Sequence, residues 1–208
     1  EEQVTLRKKN PKLNKEGEVL STLIDAEHAG MNLSKTELLH QCIFMLNAGH
    51  ETSTNMLSHG INELIKNKDE FRSLRKDLNK VNTAVEETLR FQPPIQINNR
   101  RSKKETVIGN TTIPKGTSVH MIIPGGNRDP KQFDKPNMFK ISRKPNRHLS
   151  FGLGIHICAG NSLARIEGRV AFSKIISEFR DINLVSVPKL AKRIRFREII
   201  ELPLEFAR

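Results

Sequence analysis

Residues 151–160 read Phe-Gly-Leu-Gly-Ile-His-Ile-Cys-Ala-Gly, a glycine-rich loop that ends in one cysteine just before a helical pattern. Glycine permits positive φ angles and close backbone approach, so N–H groups can point at the sulfur of Cys158. The start of a helix also stabilises a thiolate, the form of cysteine that binds metals. A lone cysteine cannot build a zinc site, but one axial thiolate suffices for haem iron. The loop therefore leaves two interpretations of Cys158 open, an iron ligand and an inert buried thiol.

A long helix is expected upstream of this loop. Ser34 and Glu37 have the spacing of a capping box, and the apolar positions that follow predict a helix to about Asn67. Apolar residues cover much of its circumference, as in a central, buried helix. Gly30 and Asn32 break the pattern that comes before it.

Shorter elements complete a mainly α pattern with a small β-sheet. Residues 124–150 carry four of the ten prolines and little periodicity, which predicts a long irregular loop. Turn signals stand at Gly109-Asn110 and Pro114-Lys115-Gly116. The shorter predicted helices cover residues 18–28, 83–91 and 159–179, and the β-type runs cover residues 95–97, 106–108, 119–123, 184–187 and 199–202.

The cysteine loop resembles the haem-binding loop of the cytochrome P450 family at every fixed position. The resemblance implies haem b as cofactor, Cys158 as the iron ligand, Phe151 as a shield for the sulfur and His156 as a donor to a haem propionate. A merely structural loop histidine is the alternative for His156. The matching residues are Phe151, Gly152, Gly154, His156, Cys158 and Gly160.

The middle of the long helix departs from the local rules, which often marks a functional site. Ala48, Gly49 and Thr52 share one face, where glycine admits a flat ligand and threonine offers a hydroxyl. A helix–helix contact between small residues is the alternative. The segment is similar to the family's oxygen-activation motif, and the resemblance gives Thr52 and Glu51 the role of delivering protons to dioxygen.

Two further positions match the family. Glu87 and Arg90 are spaced for an ion pair. They match the family's buried Glu-x-x-Arg pair. The resemblance implies that a third residue, Arg147 or His148, completes this cluster. Arg100 resembles the arginine that pairs with a haem propionate, with its neighbour Arg101 as the alternative.

The resemblance reaches from about Asp25 to Leu202 and is to soluble bacterial members, of which this chain matches the C-terminal half only. We therefore expect residues 1–208 to be the haem-binding part of one cytochrome P450 domain, with residues 1–16 flexible. The N-terminal half, which would form the substrate roof, is not in this sequence, so the fold is expected to be incomplete.

Composition sets the remaining expectations. Two distant cysteines without a leader or a metal-type spacing favour a reducing, cytoplasmic setting, and no apolar run is long enough for a membrane segment. The formal charge of +12 suits an anionic partner. The basic residues are scattered without interleaved aromatics, so nucleic acid is only a weak alternative.

For the complete enzyme the resemblance implies a monooxygenase that inserts one atom of dioxygen into a small hydrophobic organic substrate. The expected electron donor is an acidic ferredoxin or flavodoxin. A truncated, non-catalytic haem-binding remnant is the first alternative. Direct use of peroxide is another, and the Glu51-Thr52 pair argues against it.

Overall fold

The computed structural model describes residues 1–28 and 33–207, with the side chains of residues 26–28 outside the description. The expected break at Gly30 and Asn32 lies outside the described residues. The helices are α1 (Glu2–Lys9), α2 (Val19–His28), α3 (Lys35–Lys66), α4 (Lys68–Lys76), α5 (Val81–Phe91), α6 (Ile123–Gly126) and α7 (Asn161–Glu178). The strands are β1 (Ile97–Arg101), β2 (Thr106–Ile108), β3 (Thr111–Ile113), β4 (Ser118–Ile122), β5 (Asp181–Leu184), β6 (Lys189–Leu190), β7 (Ile199–Glu201) and β8 (Leu204–Ala207).

The mainly α class is confirmed, and the β structure consists of two-stranded antiparallel pairs rather than one sheet. β1 pairs with β4 from Ile97 opposite Ile122 to Arg101 opposite Ser118, and β2 pairs with β3. β5 pairs with β8 and β6 with β7. The first strand begins at Ile97, two residues later than Ile95, which makes only an isolated bridge to Phe196.

The chain divides into two compact units, residues 1–51 and residues 52–208, with the boundary inside α3. In the first unit, residues 1–16, which we expected to be flexible, contain α1 and a short 3-10 turn. Val4 is buried in a cluster with Ile24 and Leu38. Arg7 donates to both carboxylate oxygens of Glu18 over 2.5 and 2.8 Å. A few buried apolar contacts and one bidentate ion pair thus connect this segment to the residues that follow it. The flexibility of residues 1–16 stays a prediction.

The long helix α3 is confirmed, and so is its capping box. The Ser34 backbone N–H donates to Glu37 over 2.8 Å, and the Glu37 N–H donates to the Ser34 hydroxyl over 3.3 Å. The expected burial of the whole helix is wrong for residues 43–50, which are all exposed, with Phe44 at 66% and Leu46 at 73%. Apolar periodicity marks a face that can be buried, but it does not supply the neighbour that buries it.

In the second unit, α3 from Thr52 onwards, α4, α5 and α7 share one apolar core that includes Met56, Leu64 and Phe172. Gly60 lets α7 approach α3 closely. A Cβ at this position would lie 2.2 Å from Cζ of the fully buried Phe172 ring, a distance that no real contact allows. Any side chain at position 60 must therefore displace that ring or the helix that carries it.

A buried charged cluster joins α5 to the irregular segment before the cysteine loop. The Glu87 carboxylate, fully buried, accepts two hydrogen bonds of 2.8 Å from Arg90. It also accepts from the guanidinium of Arg143 over 3.1 and 3.2 Å and from the backbone N–H of Lys140 over 2.8 Å. Two guanidinium groups thus share one carboxylate, and their other N–H groups donate to backbone carbonyls, those of Asn127, Pro136, Met138, Asp134 and Lys135.

The expected third member of this cluster was wrong. Arg143 completes it, whereas Arg147 is exposed and His148 contacts Glu86 instead. The chain turns at Lys140, whose N–H binds Glu87, and this turn places the side chain three residues later beside the carboxylate. Glu86 and Glu87 point to different faces of α5, so the partner of one cannot also serve the other.

Replacing Glu87 by Gln should lower the free energy of unfolding by about 3–5 kcal/mol, because two buried guanidinium groups would lose their counter-charge. Urea denaturation measures the change. The control is Asp69→Asn, which removes a carboxylate from the exposed Arg72 pair at 3.1 Å. We expect that control to change stability by less than about 1 kcal/mol. Equal losses in the two variants would contradict the role of Glu87.

One buried histidine in this unit is held in its neutral form. His59 is 2% exposed, and its Nε2 donates to the carbonyl of Arg197 over 2.9 Å. Within the described part of the chain, its Nδ1 has no hydrogen-bond partner. Burial lowers the pKa of His59 to about 4, and the nearby positive charges of Arg197 and Lys66 act in the same direction, against the hydrogen bond to Arg197.

A depressed histidine pKa makes stability depend on pH in one direction. In the unfolded chain the pKa of this histidine is near its ordinary value of 6.5, so above that pH the ring is neutral in both states. As the pH falls from 6.5 toward 4, the unfolded chain takes up a proton that the folded chain does not, and the free energy of unfolding declines. The expected slope of unfolding free energy in this window is at most about 1.4 kcal/mol per pH unit. In His59→Gln, whose amide can still donate to Arg197, this slope should disappear. Parallel pH profiles for the variant and the parent would contradict the assignment.

Candidate haem site

The cysteine loop has the backbone that its glycines predict. Gly152 and Gly154 adopt φ angles of +72° and +71°, which side chains other than glycine rarely adopt. The N–H of Cys158 donates to the carbonyl of Phe151 over 2.8 Å, and that of Ile157 donates to Gly154 over 3.0 Å. These bonds close the loop on itself and leave the Cys158 side chain exposed, three residues before α7 begins.

Asn127, which is fully buried, anchors the residues that lead into the loop. Its side-chain oxygen accepts from the N–H of Leu149 over 2.7 Å, and its amide donates to the Ser150 hydroxyl over 3.0 Å. Ser150 in turn donates to the carbonyl of Leu89 at the end of α5 over 2.6 Å. No local sequence pattern predicts that Asn127 anchors this segment, because the residues it contacts, Leu149 and Ser150, are distant in the chain.

The surroundings of Cys158 fit a large, flat, apolar cofactor. Leu153 and Ile155 are 79% and 96% exposed, and Ile157 is also exposed. A Cβ at Gly160 would lie 4.0 Å from the Cys158 sulfur, so the backbone passes close to the thiol. Apolar side chains beside an accessible thiol match the needs of haem, whose iron takes a thiolate ligand and whose porphyrin presents apolar faces. Cys42, by contrast, is half-buried against the apolar cluster of the first unit.

Two side chains flank the Phe151 ring. The Arg165 guanidinium lies over it, 4.5 Å from the ring centre, and the His148 ring centre is 5.9 Å away. Both side chains bind the Glu86 carboxylate, Arg165 over 2.6 and 3.1 Å and His148 over 3.0 Å. Burial alone would raise the pKa of Glu86, but hydrogen bonds from His148 and Arg165 lower it to about 2. Glu86 is therefore ionised at neutral pH.

The two predicted propionate partners lie in different elements, His156 in the cysteine loop and Arg100 in β1. His156 is exposed and ends a 3-10 turn within the cysteine loop. Arg100 is an exposed residue of β1 opposite Val119. Arg101 points to the other face of the strand and donates to the carbonyl of Gly116 over 3.0 Å. Arg100 donates in the same way to the carbonyl of Asn99 over 2.9 Å. Because both side chains make such a bond, Arg101 stays the alternative to Arg100 as the candidate for a propionate.

The predicted oxygen-activation residues are helical, as expected, and lie on both sides of the boundary between the two units. Ala48, Gly49 and Glu51 belong to the first unit and Thr52 to the second. Apart from its chain neighbours and the adjacent backbone of α3, no atom of the described residues lies within 4 Å of the position that a Cβ would take at Gly49. Next to Thr52, the Ser53 hydroxyl donates to Glu167 of α7 over 2.5 Å. The roles of Thr52 and Glu51 stay predictions.

In the described part of the chain, no helix is both long enough and apolar enough to cross a membrane.

Comparisons with known proteins agree on one family. The family model of cytochrome P450 matches residues 1–191. The biotin biosynthesis cytochrome P450 of Bacillus subtilis (strain 168) is 34% identical over 206 residues, which cover 99% of this chain and 51% of the relative. The polyketide biosynthesis cytochrome P450 PksS of the same strain is 35% identical over 195 residues, which cover 92% of this chain and 48% of the relative.

A solved structure of a cytochrome P450 also resembles this chain. The crystal structure of P450BioI in complex with an acyl carrier protein carrying hexadec-9Z-enoic acid superposes with a TM-score of 0.91 at 34% identity. The superposition covers 99% of this chain and 52% of that one. The chain thus spans about half the length of the curated relatives it matches. From the family match and the identity over nearly its whole length, this chain belongs to the cytochrome P450 family.

Proposed function

We propose that residues 1–208 are the C-terminal haem-binding part of one cytochrome P450 domain that acts as a haem-thiolate monooxygenase. The observation that supports this most is the exposed Cys158 thiol, which follows a loop closed by backbone hydrogen bonds and stands among exposed apolar side chains. Such a loop presents a single sulfur in a fixed place, which is what one axial ligand requires.

In this proposal each residue has a specific task. The Cys158 thiolate holds the iron of haem b, and the Phe151 ring, which Arg165 flanks, shields the sulfur. His156 and Arg100 donate to the haem propionates, while the small residues Ala48 and Gly49 admit the flat cofactor. When bound, haem supplies the reductive activation of dioxygen, in which one oxygen atom enters the substrate and the other leaves as water.

Thr52 and Glu51 hold and pass the two protons that this reaction consumes. Both lie in the middle of α3, where the helix carries a glycine three residues before Thr52. A hydroxyl that can both donate and accept hydrogen bonds is suited to relay a proton, and a carboxylate next to it is suited to supply one.

The proposed substrate is a small hydrophobic organic molecule, and the proposed electron donor is a ferredoxin or flavodoxin in the cytoplasm. The excess of 35 Lys and Arg over 23 Asp and Glu supports an acidic redox partner.

A non-catalytic haem-binding remnant is the second candidate. It is favoured by the exposure of the apolar side chains Phe44 and Leu46 on α3. An open distal face would give the protein little control over the reduction of dioxygen. Product formation with a reductase and ferredoxin supplied separates the two candidates, because a remnant keeps the haem spectrum and makes no product with any reductant.

Cys158→Ser should abolish the thiolate signature of the haem complex. The reduced, carbon-monoxide-treated parent is expected to absorb at the long wavelength typical of a thiolate-bound haem, and the variant at a shorter wavelength, because an alcohol does not donate electron density as a thiolate does. The absorption spectrum of the haem-reconstituted chain measures this.

The matched control is Cys42→Ser, which removes the other free cysteine, half-buried in the first unit. Its spectrum should equal that of the parent. An unchanged band in Cys158→Ser would reject the proposed iron ligand, and with it the haem-thiolate function.

Binding of an acidic ferredoxin should weaken steeply as ionic strength rises from about 0.01 to 0.5 M, because salt screens attraction between exposed charges. Surface plasmon resonance with immobilised ferredoxin measures the dissociation constant at each salt concentration. A basic protein of similar size, immobilised in place of ferredoxin as the control, should not bind the chain at low salt. Ferredoxin affinity that is independent of salt would remove the electrostatic part of the proposal.

A further inference from the structure

Beyond the loop's own backbone bonds, a chain of side chains connects the beginning of the cysteine loop to its end. It starts where the N–H of Ser150 donates to Nδ1 of His148 over 3.2 Å. Because Nδ1 accepts, Nε2 carries the proton, and it donates to Glu86 over 3.0 Å. The His148 side chain is 2% exposed, so these two bonds replace those that water would make.

From Glu86 the chain continues to the other end of the loop. Arg165 donates to both carboxylate oxygens of Glu86, and its Nη1 donates to the side-chain oxygen of Asn161 over 2.8 Å. The amide of Asn161 then donates to the backbone carbonyl of Cys158 over 2.6 Å. One carboxylate on α5 is thus connected through two side chains to the carbonyl of the candidate iron ligand.

The same side chains also hold the aromatic ring inside the loop. Arg165 and His148, both bound to Glu86, flank Phe151, whose carbonyl accepts the N–H of Cys158. A planar guanidinium that is fixed by a bidentate carboxylate stacks on a ring with less loss of side-chain freedom than a mobile one. The ionised state of Glu86, whose pKa lies near 2, keeps these bonds charge-assisted at neutral pH.

We propose that Glu86 is a positioning residue for Cys158, acting through His148 at the start of the loop and through Arg165 and Asn161 at its end. Glu86 does not contact the sulfur. Its carboxylate sets the place of the two groups that fix the Phe151 ring and the Cys158 backbone. The inference rests on the proposed function only in taking Cys158 as the iron ligand.

The test is hydrogen–deuterium exchange of single amides in the haem-free chain, so that it does not depend on haem binding. In Glu86→Gln we expect the amides of Cys158 and Ser150 to exchange about tenfold faster than in the parent, because the loop opens more often. Amides in the buried part of α7 around Phe172 should keep their rates. The control is Glu178→Gln, which removes a carboxylate from the exposed ion pair with Lys174 on α7.

A second variant separates the connection through His148 from the connection through Arg165 and Asn161. Asn161→Ala removes the bonds of this side chain to Arg165 and to the Cys158 carbonyl, and leaves the bonds of Glu86 to His148 and Arg165 in place. The amide of Cys158 should therefore exchange faster while that of Ser150 keeps its rate. This variant also tests the proposal if Glu86→Gln loses its helical circular dichroism. Unchanged Cys158 exchange in either folded variant, equal acceleration in Glu178→Gln, or an unprotected Cys158 amide in the parent would overturn it.

A spectroscopic readout distinguishes this inference from the proposed function. In the haem-reconstituted chain, Glu86→Gln should convert part of the carbon-monoxide band from the thiolate position to a shorter wavelength, whereas Cys158→Ser converts all of it. Faster exchange in Glu86→Gln together with no thiolate band in the parent would leave the positioning network standing and reject the iron ligand.

Discussion

The second unit is organised around one buried carboxylate. Glu87 carries a full negative charge without access to water, and such a charge is stable only when its counter-charges and hydrogen bonds are complete. Arg90 and Arg143 supply the charges, and both then use their spare N–H groups to bind carbonyls of residues 127–138. A segment with no regular structure of its own therefore acquires a fixed course, because the alternative is an unsatisfied buried guanidinium.

The fixed course of this segment also positions the cysteine loop. Asn127 gives its carbonyl to Arg90 and its side chain to Leu149 and Ser150, so the ion cluster and the loop share one residue. On the other side of α5, Glu86 binds the side chains that flank Phe151. Two adjacent glutamates on one helix thus act on different faces, one on the segment before the loop and the other on the loop itself.

Sequence reasoning was most successful where the signal is local. The capping box of Ser34 and Glu37, the helices and the glycine conformations at 152 and 154 depend on residues close together in the chain, and the structure confirms them. It failed where a contact joins distant residues. Arg143 rather than Arg147 completes the buried cluster, and the roles of Asn127 and Glu86 had no sequence signal. The exposure of residues 43–50 was missed because periodicity describes one helix and not its neighbours.

The contact between Gly60 and Phe172 limits how this chain can change. α7 is a rod of 18 residues whose first residue comes three positions after Cys158, and Phe172 sits in its second half. Adding a single methyl group at position 60 would push on the ring, and a stiff helix transmits that push along its axis to its first turn. A residue without a side chain, far from Cys158 in sequence and in no motif, thereby restricts which mutations this chain can accept without moving Cys158.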